Sequence, residues 1–424
     1  MDTRFCPASL RGAAAAPASK SEAHRHLICA GLTEGVTELT RFTDSEDLLA
    51  TARCLAALGA RVERGGETVR VTGKAEKPAL LPLYDCGESA STLRFFVPIA
   101  LVLTHGGVFR MRGRLGKRPM DVYRDLLVPN GVTWTMREGA DGTAELRVAG
   151  SMTPGHYELP GNVSSQFVSG LLFALPLLDR PSVLTVIPPV ESASYIRMTL
   201  QALAESGIRV EEEAEGRWRI PGNQQYRAQS GALHGDWSQA AVLLTAGAIN
   251  GDVTVTGLSD RDGQGDKAIV DCLRALGADL EISENRVHAK AAPLKAVQLD
   301  MHNTPDIAPI VALACACAEG ESLLTGCGRL RLKECDRLAS TAEILRALGA
   351  DIAVESDSLR IRGGHPLHGG LTLDGMHDHR MIMLTSVAAL VTDGPITVTG
   401  TEALAKSWPD YLEVYQSLGG RISD

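Results

Sequence analysis

The feature that most constrains this chain is a helix ending that recurs six times. C-L-A-A-L-G-A-R-V ends at Val62, C-L-R-A-L-G-A-D-L at Leu280, I-L-R-A-L-G-A-D-I at Ile352 and Y-Q-S-L-G-G-R-I at Ile422. Looser copies are D-L-L-V-P-N-G-V and Q-A-L-A-E-S-G-I-R-V. The shared glycines, Gly59, Gly131, Gly207, Gly277, Gly349 and Gly419, return every roughly 70–76 residues, which marks an internal repeat. Glycine just past the last apolar position is a C-cap signature, because it enters the left-handed region at no steric cost. A short alternating strand follows each, as at residues 61–64, 209–213 and 351–355.

A second, more apolar helix recurs between these marks, beginning near Ser21, Ser89, Ser165, Trp237, Asp306 and His379. Runs such as Q-F-V-S-G-L-L-F-A-L-P-L-L and I-A-P-I-V-A-L-A-C-A-C-A are hydrophobic all round, so these helices are expected to be buried. Strands at 253–257 and 396–400 fall between the helices. The unit reads strand–helix–strand–helix–strand–strand, six times over, and six divide most simply three and three. The polar segment 222–231 marks the boundary. The fold class is therefore α/β, in two domains.

A net charge of −9 argues against nucleic-acid or membrane-surface partners, which want a basic face. Nine cysteines, none in a C-x-x-C pair, fit no closed disulfide framework and suggest a reducing, cytoplasmic setting. No run approaches the ~20 apolar residues of a membrane span, and the first residues lack the apolar core of a signal peptide. A monomer is the default expectation, since nothing suggests an exposed apolar interface.

In such an array the polar residues gather where helices start. The densest case is R-L-R-L-K-E-C-D-R-L, where Lys333, Glu334, Asp336 and Arg337 precede an amphipathic helix with Leu338, Ile344, Leu345 and Leu348 on one face. Asp336 can cap its first amides. Taken alone, the simpler reading is a capped surface helix with ion pairs along a solvated face. The chemical reading comes from the company it keeps. Lys20, Arg118, Lys333, Arg380 and Lys406 are all read as cations at helix starts, where they oppose the helix dipole and call for an anionic ligand. Asp306 and Glu334, with Asp378, are the few carboxylates among them, a pattern suited to acid–base chemistry inside an anion site. No metal is expected: there is no H-E-x-x-H, paired-cysteine or EF-type signature, and His377 and His379 lack a third ligand. No phosphate-binding P-loop motif occurs.

At these residues the sequence resembles the 5-enolpyruvylshikimate-3-phosphate synthase family nearly end to end. The carrying motifs are P-A-S-K-S-E-A-H-R (17–25), C-G-E-S-A-S-T-L-R (86–94), K-R-P-M (117–120), S-S-Q-F (164–167), S-A-S-Y-I (192–196), T-P-D-I-A (304–308), L-K-E-C-D-R-L (332–338), D-H-R-M (378–381) and K-S-W-P-D-Y (406–411). Each is weak alone; nine in the family's order are specific. The resemblance implies a two-domain inside-out α/β barrel-like fold of six βαβαββ repeats. Three repeats would lie at 19–233, three in 1–18 with 234–424, and the active site in the interdomain cleft. It implies transfer of the enolpyruvyl group of phosphoenolpyruvate to the 5-hydroxyl of shikimate 3-phosphate, releasing phosphate, through a tetrahedral ketal and without a cofactor.

Carried over by motif, Lys20, Ala90, Arg118, Gln166, Arg337, His379, Arg380 and Lys406 would bind phosphoenolpyruvate. Ser21, Arg25, Ser164, Ser165, Gln166, Ser192, Tyr195, Asp306 and Lys333 would bind shikimate 3-phosphate. The catalytic set implied is Asp306, Lys333, Glu334 and Lys20, with Asp306 as base and Glu334 protonating the methylene carbon. Ala18, Ala90, Ala193, Ser194 and Arg329 depart from the family's commonest pattern. The extra methyl of Ala90, where many members have glycine, implies tolerance to glyphosate. Two rivals are the sister transferase that uses UDP-N-acetylglucosamine and a non-catalytic repeat scaffold. The first would carry a loop cysteine near 112–120 and a K-N pair in place of Lys20-Ser21; the second, as a clamp, would need a basic lining.

Overall fold

The computed structural model describes residues 1–74, 78–139, 142–260 and 262–423. Among them are six four-stranded sheets, all with one internal plan. The fifth repeat shows it plainly. Strand Gln298–Asp300 runs parallel to Gly320–Thr325, which pairs antiparallel with Leu359–Gly363, and Asp351–Val354 closes the edge. A parallel pair needs a crossover, and the apolar helix Ala308–Cys317 supplies it. The second helix, Arg337–Ala347, then delivers the chain to an antiparallel hairpin.

The six cap glycines all adopt positive φ, from +76° at Gly207 to +96° at Gly349. That shared left-handed step turns each second helix into its edge strand, and it is the physical content of the sequence repeat. A second glycine position is set by close approach. A Cβ at Gly363 would lie 2.1 Å from the Ala318 carbonyl oxygen, and one at Gly73 would lie 2.3 Å from that of Ala30. The strand thus presses directly on the end of the buried helix.

The first helices, Lys20–Leu32, Ala90–Leu103, Ser165–Ala174, Trp237–Asn250, Ala308–Cys317 and His379–Ala388, are buried as their composition requires. In Ala308–Cys317 every residue but the last is buried. Alanine and glycine let neighbouring helices pack closely, which is why few aromatics are needed.

Three short strands break the sequential order. Arg11–Ala15 runs parallel to Asp252–Thr256, so the amino-terminal segment starts the fourth sheet. Thr3–Cys6 lies between Ile396–Thr399 and Arg421–Ser423 in the sixth. Gly231–Ala232 supplies the outer strand beside Gly35–Thr40 in the first. The chain forms two compact units, Ala18–Leu233 and Met1–Pro17 with His234–Asp424, each with its own hydrophobic core.

Candidate active site

In the unit built from Met1–Pro17 and His234–Asp424, hydrogen bonds draw several helix starts together around Arg337. This residue opens its helix and is only 2% exposed, so its charge must be met locally. Its Nε and one terminal nitrogen donate to Asp378 Oδ2 and Oδ1 at 2.7 and 3.0 Å. Its other terminal nitrogen donates to Asp306 Oδ1 at 2.9 Å, and Glu334 Oε2 lies 2.8 Å from the nitrogen that reaches Asp378 Oδ1. Lys333 Nζ donates to the same Asp306 oxygen at 2.8 Å. Three carboxylates and two cations thus share one small volume.

The electrostatic consequences are opposed by burial and decided by neighbours. Burial alone would raise the Asp306 carboxyl, yet Lys333, Arg337 and Arg380 hold it well below the usual carboxylate range. Burial lowers the Lys333 ammonium; Asp306 pulls it back up, while Arg337 and Arg329 push it down. Arg337 resists burial because Asp378, Glu334 and Asp306 surround it, and its affinity for the proton is raised. Asp306 is an anion, and Lys333 is a cation that releases its proton more readily than an exposed lysine.

Asp378 is fully buried, caps the helix His379–Ala388 by accepting from Arg380 N at 2.9 Å, and accepts from the Cys335 thiol. Counted with the acid–base carboxylates in the sequence, it is instead committed to structure. His379 is buried beside it. Lys406 Nζ donates to the His377 carbonyl at 2.9 Å.

The Ala18–Leu233 unit gathers a second set. Lys20 opens its helix, and its Nζ reaches Asp47 Oδ2 at 2.9 Å. Arg25, one turn on, donates to Thr199 Oγ1 at 2.8 Å, to the Ser21 carbonyl at 2.6 Å and to the Tyr195 carbonyl at 2.9 Å. Its guanidinium also lies 5.9 Å from the Tyr195 ring centroid. Burial lowers its pKa to about 10. Ser192, in the left-handed conformation, precedes the helix Ala193–Glu205 that carries Tyr195. Ser164 caps the helix Ser165–Ala174, and Ser165 is buried in its first turn. Gln166 accepts from Arg94 at 2.7 Å and donates to Ser91 Oγ at 2.8 Å. Ala90 is the first residue of its helix and is buried behind the Ser89 cap. Arg94 also donates to the Pro119 carbonyl at 2.8 Å, next to Arg118.

Of the five cations read as standing at helix starts, Lys20 and Arg380 do lie in first turns, but Arg118, Lys333 and Lys406 follow or end short 3-10 turns. Carbonyl groups rather than free amides end such turns, so those three cations do not oppose a dipole there. Arg94, Asp47, Thr199 and Ser238 were not singled out as site residues. Arg94 had a signal: a cation in the apolar run A-S-T-L-R-F-F-V-P must find partners. The others are ordinary polar residues whose partners lie far along the chain.

The model of the family described as EPSP synthase (3-phosphoshikimate 1-carboxyvinyltransferase) matches residues 6–415. A 3-phosphoshikimate 1-carboxyvinyltransferase of Clostridium botulinum (strain Alaska E43) is 35% identical over 427 residues, covering 99% of this chain and 98% of that one. The Clostridioides difficile protein of that name is 34% identical, with the same coverage. An EPSP synthase structure from Acinetobacter baumannii superposes with a TM-score of 0.81 at 27% identity, covering both chains fully. The enolpyruvyl transferase NikO from Streptomyces tendae, at 20% identity and TM-score 0.79 over 100% of this chain and 98% of that one, shares the fold.

Proposed function

The chain belongs to the EPSP synthase (3-phosphoshikimate 1-carboxyvinyltransferase) family, and from that premise we propose what its individual side chains do. The reaction moves the enolpyruvyl group of phosphoenolpyruvate to the 5-hydroxyl of shikimate 3-phosphate and releases phosphate, within aromatic amino-acid biosynthesis. It is a transferase, and neither the UDP-N-acetylglucosamine reaction nor a scaffold role is favoured.

The observation that carries the residue assignment is the pairing of Asp306 and Glu334 on one buried guanidinium, with Lys333 on Asp306. In the proposed sequence Glu334 acts in its protonated form and gives that proton to the methylene carbon of phosphoenolpyruvate. The adjacent carbon becomes cationic, and the 5-hydroxyl oxygen attacks it to form the ketal. Asp306, kept ionised by its neighbours, accepts the hydrogen bond of that hydroxyl and aims its oxygen. A carboxylate held so low is a weak base toward a free alcohol. It suffices here because the hydroxyl proton becomes strongly acidic only as the new C–O bond forms; Asp306 then takes that proton, while Lys333 holds its carboxylate in place. Collapse reverses the carbon protonation: Glu334 takes a methyl proton back, the double bond re-forms and the C–O bond to phosphate breaks.

Phosphoenolpyruvate is assigned Lys20, Ala90, Arg118, Gln166, Arg337, His379, Arg380 and Lys406. Its charge shifts toward the departing phosphate, which fixed cations stabilise more in the transition state than in the ground state. Lys20 is assigned to that phosphate. Shikimate 3-phosphate is assigned Ser21, Arg25, Ser164, Ser165, Gln166, Ser192 and Tyr195 with Asp306 and Lys333; the contacts around Arg25 and Gln166 support this grouping. Nine free cysteines support a cytoplasmic setting, and the protein is taken to act as a monomer.

The test is phosphate release from phosphoenolpyruvate, with and without shikimate 3-phosphate. Release should need both substrates and disappear in Lys20→Met. Release with UDP-N-acetylglucosamine as acceptor instead would overturn the acceptor assignment, and full release in Lys20→Met would overturn the role of that lysine.

A further inference from the structure

Arg380 is a long, flexible side chain in the first turn of its helix, where the dipole does not favour a cation. To offer fixed donors to an anion it needs an anchor. The structure supplies one from the start of another helix, Trp237–Asn250. One terminal nitrogen of Arg380 donates to the Ser238 carbonyl at 2.6 Å, and the other donates to Ser238 Oγ. The Ser238 hydroxyl itself donates to Asp236 Oδ1 at 2.6 Å. That same carboxylate oxygen caps the helix, accepting from Ser238 N at 2.9 Å and Gln239 N at 3.0 Å.

The direction of these bonds matters. A serine hydroxyl has one proton and two lone pairs. Because Asp236 takes the proton, the oxygen can only accept from Arg380. The guanidinium therefore meets an acceptor whose lone pairs are turned toward it and polarised by a carboxylate. All three residues are nearly buried: Asp236 is 5% exposed, Ser238 8% and Arg380 8%. A guanidinium carries five N–H groups in a rigid plane, so two bonds to one residue fix the orientation of that plane. Three N–H groups remain, including Nε, which has no hydrogen-bond partner among the described residues. Asp378, meanwhile, holds the Arg380 main chain.

We propose that Ser238 is a positioning residue that, through its hydrogen bond to Asp236, aims the Arg380 guanidinium at phosphoenolpyruvate. This rests on the assignment of Arg380 to phosphoenolpyruvate. Ser238 does not touch the substrate in this account; it acts only through Arg380. Its loss therefore weakens binding of one substrate and leaves the acid–base groups and the other substrate untouched.

The experiment is steady-state kinetics on the whole protein for Ser238→Ala, Ser238→Thr, Arg380→Met and the Ser238→Ala/Arg380→Met pair, with melting temperatures. Removing one acceptor from a buried charged donor should raise KM for phosphoenolpyruvate about tenfold in Ser238→Ala. KM for shikimate 3-phosphate should stay at its original value, while the melting temperature of Ser238→Ala should fall by about 2–4 °C because one buried acceptor is lost. Ser238→Thr, which keeps the hydroxyl, should restore KM to within about threefold of the original on the same reasoning. In the Arg380→Met background Ser238→Ala should add nothing, since its only route of action is gone. If Arg380→Met raises KM for phosphoenolpyruvate but Ser238→Ala leaves it unchanged, or Ser238→Thr fails to restore it, the positioning role is overturned. If Arg380→Met itself leaves KM unchanged, it is the assignment of Arg380 that falls.

Discussion

Asp378→Asn is the perturbation that most directly tests the buried charge cluster. The side chain keeps its size and one oxygen, so packing is preserved. What changes is the charge facing Arg337, and the amide's own hydrogens must now face the guanidinium together with either the Cys335 thiol or the Arg380 N–H, according to which oxygen the amide nitrogen replaces. Asp378 is 0% and Arg337 2% exposed, so water cannot replace the lost partner. Breaking a buried pair by removing one charge costs about 3–5 kcal/mol. The lower end applies here, because Asp306 and Glu334, at 20% and 24% exposure, still contact Arg337. For a unit of roughly 210 residues, each kcal/mol moves Tm by about 2–4 °C, so a loss of about 3 kcal/mol means a fall of about 6–12 °C. Calorimetry on the whole protein reads it, with Arg337→Met/Asp378→Leu as the companion. If the cost is an orphaned charge, removing both ions together should be milder than removing Asp378 alone. A single variant melting within about 2 °C of the original would refute the reasoning, since the guanidinium would then not depend on Asp378.

Three further outcomes follow from the same site. Glu334→Gln should cut kcat by about a hundredfold or more, the usual worth of a placed general acid, with KM for phosphoenolpyruvate little changed; full turnover would remove Glu334 from proton transfer. The ionised Asp306 contributes stability that is present above the unfolded carboxyl pKa of about 3.9 and is lost as pH falls through its lower folded value. The difference in melting temperature between the protein and Asp306→Asn should therefore be largest near neutrality and shrink below pH ~4; a difference independent of pH would sink the account. Ala90→Gly removes a buried methyl from the first turn of its helix and should make glyphosate a stronger inhibitor. Equal inhibition of both proteins would show that the methyl is not what sets tolerance.

The parts of this fold that were legible in the sequence are those governed by local physics. A cap glycine declares itself within one helix turn, and all six carry the positive φ that their spacing implied. Helix starts were readable for the same reason: Ser89, Ser164, Asp336 and Asp378 accept from amides two or three residues ahead of them. What was not legible depends on partners far along the chain. Strands Arg11–Ala15 and Gly231–Ala232 are too short and too poor in β-formers to announce which sheet they complete. The role of Asp378 was misjudged because the residue that commits it, Arg337, lies 41 positions away.

The same distinction accounts for where the chemistry sits. A buried helix start offers free amides but not side-chain charge, and the sequence shows which residues stand there without showing which are spent on one another. Arg337, besides its proposed part in holding phosphoenolpyruvate, neutralises the buried Asp378; Asp306 and Glu334 keep an exposed edge while sharing that guanidinium. A carboxylate with every oxygen committed and no exposure cannot exchange protons with a substrate. One with partial exposure and a cation behind it can. Exposure, rather than residue type or motif membership, therefore separates the structural acid Asp378 from Asp306 and Glu334, the pair we propose to react. On this criterion Cys335, which is buried and has its thiol pushed up to about 12, is a packing residue despite standing between Glu334 and Asp336 in the most charged stretch of the chain.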